Sequence, residues 1–326
     1  MRRCEFVTLL GGAAAALPLA ARAQQPAMPV IGVLSSQSQD SEAAVLAAWR
    51  QALTDAGYVG GRNVAIEYRF ADGQNDRLPM LAADVVRRNV TVLVANTTPP
   101  AFAAKAATAT IPIVFMTGVD PVEVGLVASF NRPGANVTGV TFLSNKLVAK
   151  RLELLAALVP GTAPIGMLAH TRNPNTAADV RDALAAAAEL GRTLLVEKVA
   201  SAAEVEASVT MLVQQRVAAL FLAPQADFRL WRQVILALAE RHALPTSFSN
   251  RDFVVAGALM SYGPNQIDSY REAGIYTARI LKGEKPAELP VLVSTTFDFA
   301  INLKTAKALG LTIPPIVLAL ATAVIE

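Results

Sequence analysis

The sequence predicts an α/β protein of two Rossmann-like lobes with parallel sheets, joined by a multi-crossing hinge. Three observations predict it. Short apolar runs alternate with helical stripes along most of the 326 residues, the pattern of repeated βαβ units. Alanine, valine and leucine are abundant while aromatics make up 6%, which suits helices packed on strands buried on both faces. The hydrophobic share of 53% is ample for two cores in a chain of this length.

The first series starts with an apolar strand over 30–34 that ends in Ser35-Ser36. A helix follows with Val45, Trp49 and Leu53 on one face and Gly57 as its stop. A second strand is expected over 64–68. The next helix places Leu78, Leu81, Ala82, Val85 and Val86 on one stripe. A fully apolar strand over 90–95 leads to Asn96-Thr97-Thr98, and Pro99-Pro100 opens an alanine-rich helix. The fourth strand, 111–115, runs into Thr117-Gly118-Val119-Asp120-Pro121. A short helix to Ser129 and the turn Asn131-Arg132-Pro133-Gly134 then lead to a strand over 137–142.

A second series begins with a helix over 145–158. A strand over 165–169 ends in His170-Thr171-Arg172-Asn173-Pro174-Asn175, and a helix over 176–190 stops at Gly191. Strands over 194–199 and 217–222 flank a helix marked by Val205, Val209 and Leu212. A helix with Leu230, Val234 and Leu238 follows, and Pro245 sits near another strand. Trp49 and Trp231 are both expected in the core on helical apolar faces. After Gly257 the chain restarts with a strand over 258–262 and a helix carrying Ile267, Tyr270, Gly274, Ala278 and Leu281. This piece is too short for a third domain, so it is expected to return to the first lobe. The division expected is 1–23 as signal peptide, 24–141 with 257–288 as lobe 1, and 142–256 with 289–326 as lobe 2.

The signal peptide rests on the basic start Arg2-Arg3, an apolar stretch from Phe6 to Leu19, and the small-x-small triplet Ala21-Arg22-Ala23. The mature chain would start at Gln24 and work in the periplasm. Arg2-Arg3 suggests the twin-arginine (Tat) route, but Phe6 sits one place too far along, so Tat and Sec both stay open. Cys4 is the only cysteine and precedes the apolar stretch, so no lipid-anchor cysteine follows it. Without it there is no disulfide, thiolate nucleophile or cysteine-bound metal. His170 and His242 stand far apart in sequence, and no metal ligand set is spaced for binding. The leader carries Arg2, Arg3 and Arg22 against Glu5, so its removal takes the net charge from +3 to +1. With no basic run, nucleic acid is disfavoured. Beyond the leader no apolar run approaches the roughly 20 residues needed to span a bilayer, so no stable membrane insertion is expected.

In an open parallel sheet, ligands bind outside the carboxyl ends of the strands. That rule selects Ser35-Ser36, Asn96 to Thr98 and Thr117 to Asp120 in the first lobe. In the second it selects His170 to Asn175, Ala223 to Asp227 and Phe248 to Arg251. Two such faces across a hinge make a cleft for a small polar molecule. Thr97 and Thr98 put hydroxyls and backbone N–H groups at a helix N-terminus, which can take a carboxylate. An ordinary threonine cap uses the same groups. Asp120 can pair with a ligand ammonium or cap the next helix. Ser35 and Ser36 can donate to a ligand or cap the first helix. Asn173 and Asn175 can bind a ligand or shape a turn beside Pro174. Gln225 is a further candidate on its loop, and Tyr262 either lines the hinge or packs. Catalysis finds little support: there is no G-x-S-x-G elbow, Walker A loop or G-x-G-x-x-G after the first strand, so no cofactor is expected.

Several stretches carry a family resemblance. They include Ala56-Gly57-Tyr58-Val59 with Gly61-Arg62-Asn63-Val64, Arg77-Leu78-Pro79, and Ile111-Pro112-Ile113-Val114-Phe115. Asp120-Pro121-Val122, Asn131-Arg132-Pro133-Gly134, Asn136-Val137-Thr138-Gly139, Leu259-Met260-Ser261-Tyr262-Gly263 and Ile301-Asn302-Leu303-Lys304 continue them. The chain resembles the ABC-transporter substrate-binding proteins of the tryptophan/tyrosine type over nearly its whole length. The resemblance implies a type I periplasmic-binding-protein fold with a three-stranded hinge, a small-molecule ligand between the lobes, and no catalysis. It implies that Ser35, Ser36, Thr97, Thr98 and Asp120 line the first lobe and the loop from Asn173 to Asn175 the second. His170 and Arg172 depart from the family, which has small or amide residues there, and the tail from Leu318 to Ala323 is more apolar than usual.

The function expected is capture of a small carboxylate-bearing solute, an amino acid or related compound, by a monomeric receptor. The receptor would deliver it to an ABC permease and its ATPase. A ligand-binding input for a sensor kinase or chemoreceptor is the alternative, and an exported enzyme a more distant one.

Overall fold

The computed structural model describes residues 28–326, so the signal-peptide expectation, Cys4 included, lies outside the described residues. In chain order the first lobe holds β1 (Val30–Ser35), α1 (Ala43–Asp55), β2 (Ala65–Phe70), α2 (Leu78–Arg87), β3 (Val92–Asn96), α3 (Thr98–Ala107), β4 (Ile113–Thr117) and β5 (Val137–Thr141). Then come α4 (Val148–Leu158), β6 (Ile165–His170), α5 (Thr176–Glu189), β7 (Leu194–Val199), α6 (Ala202–Gln214), β8 (Ala219–Leu222), α7 (Arg232–Arg241), β9 (Thr246–Phe248), α8 (Arg251–Val255) and β10 (Met260–Pro264). The chain ends with α9 (Gln266–Leu281), β11 (Leu292–Val293), β12 (Phe297–Asn302), α10 (Leu303–Ala308), α11 (Pro315–Ala319) and β13 (Ala323–Ile325).

The strands form a six-stranded sheet in the order β11-β5-β4-β3-β1-β2 and a seven-stranded sheet in the order β13-β12-β10-β9-β8-β6-β7. In the first sheet alternate residues feed opposite cores. Val92 and Val94 pack with α1 and α9, while Leu93 and Ala95 pack with α2 and α3. A strand covered on both faces has no polar side, and this is why these runs read as continuously apolar. α9 closes against α1 through Gly274, where a Cβ would stand 2.6 Å from the Trp49 carbonyl oxygen. The buried Trp49 indole donates to the Thr277 hydroxyl at 3.3 Å and fixes the register of the two helices.

Several expectations need correction. β10 pairs with β9 and β12, so it belongs to the second sheet, and only from α9 does the chain return to the first. β11 pairs with β5, so the final crossing follows Val293. The chain thus passes between sheets three times, after Thr141, after Pro264 and between Val293 and Phe297. The second sheet is not wholly parallel, because β12 runs antiparallel to β10. The apolar tail becomes α11 and an edge strand, β13, parallel to β12. The helix expected up to Ser129 is instead a run of turns. Gly125 adopts φ +70° there, which ends any helical progression.

Candidate functional site

The carboxyl ends of the parallel strands face one another across the hinge. Ser36, Thr97, Thr98 and Gly118 from the first lobe meet Asn173, Asn175, Gln225, Asp227, Ser249 and Asn250 from the second around one cavity of about 50 Å³. Phe142, Gln266 and Tyr270 complete its wall near the crossings.

The wall from the first lobe is built of hydroxyls. The Ser36 and Thr97 hydroxyls share a hydrogen bond at 2.7 Å, and so do those of Thr98 and Thr117. Thr97 adopts φ +83°, a left-handed conformation that is costly for a β-branched residue, by about 1–3 kcal/mol. The helix that follows offers fewer donors than its position suggests. Pro99 and Pro100 occupy its first turn and carry no N–H, so within that turn Thr98 supplies the free backbone donor. An anion here would depend chiefly on the hydroxyls.

The wall from the second lobe holds a carboxylate in place. Asp227 is only 3% exposed, and its Oδ2 accepts from Asn173 Nδ2 at 3.0 Å. Asn173 Oδ1 in turn accepts from the Asn175 N–H at 3.0 Å. Both ends of the Asn173 amide are therefore spent on orienting the loop and Asp227. Gln225 is spent likewise. Its Oε1 accepts from the His170 N–H at 2.6 Å, and its Nε2 donates to Thr176 Oγ1 at 2.9 Å and Asp179 Oδ2 at 3.0 Å. It ties the loops after β6 and β8 to α5 and positions them. Burial pushes the Asp179 carboxyl up to about 7, against the pull of the Gln225 amide and the Arg151 guanidinium. The buried Arg151 lies over the Phe221 ring at 4.3 Å and donates to the Leu222 carbonyl at the end of β8.

At the crossings, Tyr270 and Phe142 stack with ring centroids 6.2 Å apart and planes 17° apart. The Tyr270 hydroxyl donates to Asn96 Oδ1. Burial, and next the Glu42 carboxylate, hold that hydroxyl well above its ordinary pKa, so it stays a neutral donor.

Of the residues selected from sequence, Ser36, Thr97, Thr98, Asn173, Asn175 and Gln225 reach the cavity wall. Ser35, Asp120 and Tyr262 do not. The Ser35 hydroxyl is buried behind the wall, accepting from Gln37 N–H at 3.0 Å and donating to Glu42 at 3.4 Å. Asp120 Oδ1 accepts from the N–H groups of Val122 at 2.8 Å and Glu123 at 3.2 Å, closing its own turn. Tyr262 lies in β10 between Phe297 and Phe299, at centroid distances of 6.5 and 6.1 Å. The two family departures also stay off the wall. His170 Nδ1 accepts from the Arg172 N–H at 3.2 Å, and its ring stacks on Trp231 at 5.5 Å. Trp231 is half-buried just before α7 rather than in the core on a helical face, because it covers this imidazole. Phe142, Asp227, Arg229, Gln266 and Tyr270 also line the cavity and are not among the residues singled out from sequence. Asp227 was visible only as part of its loop, and Tyr270 read as one more member of a helical stripe.

Two lobes closing polar strand ends over a central cleft define a solute-binding protein with the type I periplasmic binding fold. Residues 30–325 match the family described as ABC transporter substrate binding protein, and the chain belongs to that family, which is a substrate-binding one rather than an enzyme family. A tyrosine-binding protein of Clostridioides difficile is 30% identical over 263 residues, covering 80% of this chain and 75% of its own. An ABC domain from Streptococcus pneumonia, in complex with L-Trp, is 28% identical with a TM-score of 0.83, over 91% of this chain and 99% of its own. A ligand-free, open substrate-binding protein with adhesive properties from Clostridium difficile is 25% identical with a TM-score of 0.65 at the same coverage, 91% and 99%. Among the described residues no helix is long and apolar enough to cross a membrane.

Proposed function

We propose that the cleft captures an aromatic amino acid as a zwitterion. The carboxylate rests on the hydroxyls of Ser36, Thr97 and Thr98, the ammonium on Asp227, and the side chain against Phe142 and Tyr270. The observation that carries this reading is Asp227: a carboxylate nearly out of solvent, held by one amide, on the wall of the same cavity as three hydroxyls. Burying such a charge is expensive unless a cation meets it. The stacked Phe142–Tyr270 pair supplies an apolar surface beside it, and the ligands named for the Trp complex and the tyrosine-binding relative agree with one. Since His170 and Arg172 lie off the wall, these departures from the family need not change the ligand.

In this reading the protein works outside the cytoplasm, in the periplasm, as a monomer that hands its ligand to a permease driven by an ATPase. The ligand favours closure by binding the closed form better. A thermal-shift screen against the common amino acids, sugars and aliphatic acids tests the proposal. Phenylalanine, tyrosine or tryptophan at about 100 times its dissociation constant adds roughly 2.7 kcal/mol of stability. A rise in melting temperature confined to sugars or to aliphatic acids would overturn it.

A further inference from the structure

Two charged side chains are buried behind the second-lobe wall, and neither lines the cavity. Arg151 of α4 and Asp179 of α5 are each 1% exposed, on helices that pack against one another. Each charge counteracts the burial of the other. As a way of stabilising a core this is poor, since apolar side chains of similar volume do as well or better. Both groups are also incompletely bonded: among the described residues Asp179 Oδ1 and Arg151 Nε have no hydrogen-bond partner.

What the two side chains share is the loop after β8. Arg151 Nη2 donates to the carbonyl of Leu222, the last residue of that strand. Asp179 Oδ2 accepts from Gln225 Nε2 at 3.0 Å. The Phe228 N–H then donates to the Gln225 carbonyl at 3.4 Å, which closes a turn containing Asp227. The loop is thus held at its root by α4 and at this turn by α5. Gln225 also governs the tether of Asp227. Asn173, which holds that carboxylate, belongs to the loop after β6, and Gln225 Oε1 binds the same loop through the His170 N–H at 2.6 Å.

We propose that Arg151 and Asp179 are positioning residues for the ligand's ammonium: they fix the turn that carries Asp227, and so set how strongly the cleft prefers a ligand that bears an amine. The inference rests on the reading that Asp227 meets that ammonium. Ser36, Thr97, Thr98, Phe142 and Tyr270 stand on other segments, so releasing this turn leaves the surfaces for the carboxylate and the side chain in place. The signature is therefore a lost preference rather than a general weakening.

Titration calorimetry with L-tryptophan and with indole-3-propionate, which has no ammonium, reads that preference. In Asp179→Leu the preference for L-tryptophan is expected to fall at least about tenfold, as on loss of groups that orient a site's own ligands, with indole-3-propionate nearly unaffected. Asp179→Asn keeps an oxygen for Gln225 and should restore most of the parent's preference. The double variant Arg151→Met with Asp179→Leu removes both buried charges, so its unfolding midpoint should match or exceed the parent's, yet its preference should stay low. A preference that recovers with the midpoint, or equal losses for both ligands, overturns the proposal. Thr176→Val is a milder variant that removes only the hydroxyl to which Gln225 Nε2 donates at 2.9 Å. It should lower the preference in the same direction, and it carries the test if the leucine variants do not fold; an unchanged preference there counts against the proposal. Hydrogen exchange over residues 222–228 reads the loop without a ligand. Faster exchange in Asp179→Leu, reversed in Asp179→Asn, beside a parent that binds no L-tryptophan, sinks the amino-acid reading and leaves the restraint of the loop standing. A parent that binds L-tryptophan, beside variants that keep its preference, sinks the positioning role instead.

Discussion

Asp227→Asn is expected to weaken amino-acid binding by about 100-fold or more while leaving the unfolding midpoint nearly unchanged. The substitution is isosteric and removes only the charge. Its side-chain oxygen can still accept from Asn173 Nδ2, so the loop after β8 keeps its tether. What disappears is the counter-charge for a buried ammonium, and truncating one partner of such a pair costs about 2–5 kcal/mol. Asp120→Ala supplies the contrast. Its carboxylate already accepts from Val122 and Glu123 and does not reach the cavity, so affinity should change less than about threefold, within the few tenths of a kcal/mol typical of distant sites. Titration calorimetry on both variants separates the two outcomes. Equal losses would mean that Asp227 is not the ammonium partner.

Gly263→Ala is expected to damage stability and binding together. Gly263 sits in β10 next to the second crossing, and a methyl there would overlap the backbone oxygen of Ser249. Neither side can yield cheaply, because β9 and β10 are paired through Met260 with Ser247 and Ser261 with Phe248. Overpacking of this kind costs about 1–3 kcal/mol. Ser249 and Asn250 line the cavity, so any relief that moves them also distorts the wall. Urea unfolding should show a lowered midpoint, and calorimetry an affinity reduced by more than about tenfold, since misplacement of about 1 Å is costly in a packed site. A variant with the parent's midpoint and affinity would show that this approach is not constrained.

The runs that became β1, β3, β4, β6 and β8 were legible because strands buried on both faces carry no polar alternation. The strand-end rule pointed to the loops of Ser36, Thr97, Thr98, Asn173, Asn175 and Gln225, and these residues reach the cavity wall. The sheet to which β10 belongs was not legible, since pairing with β9 and β12 is decided by contacts outside its own sequence. The choice between Asp120 and Asp227 was equally hidden. Both follow parallel strands, yet one carboxylate is consumed by its own turn and the other is held by Asn173, 54 residues away. Gln225 illustrates the same limit. It reaches the cavity wall from its strand-end loop, but its amide points into the protein, where three partners use it. Arg151 and Asp179 gave no local signal, because a charged residue on a helix reads as solvated until other elements cover it.

Titration of L-tryptophan against the chain, beside tryptamine and indole-3-propionate, tests the zwitterion site most directly. Tryptamine lacks the carboxylate that the Ser36, Thr97 and Thr98 hydroxyls would receive, and indole-3-propionate lacks the ammonium that Asp227 would meet. The expected result is binding of L-tryptophan, with each analogue weaker by about 100-fold or more, as for charges left unpaired in a closed site. Binding of either analogue as tight as that of the amino acid, or no binding of L-tryptophan at all, would contradict it.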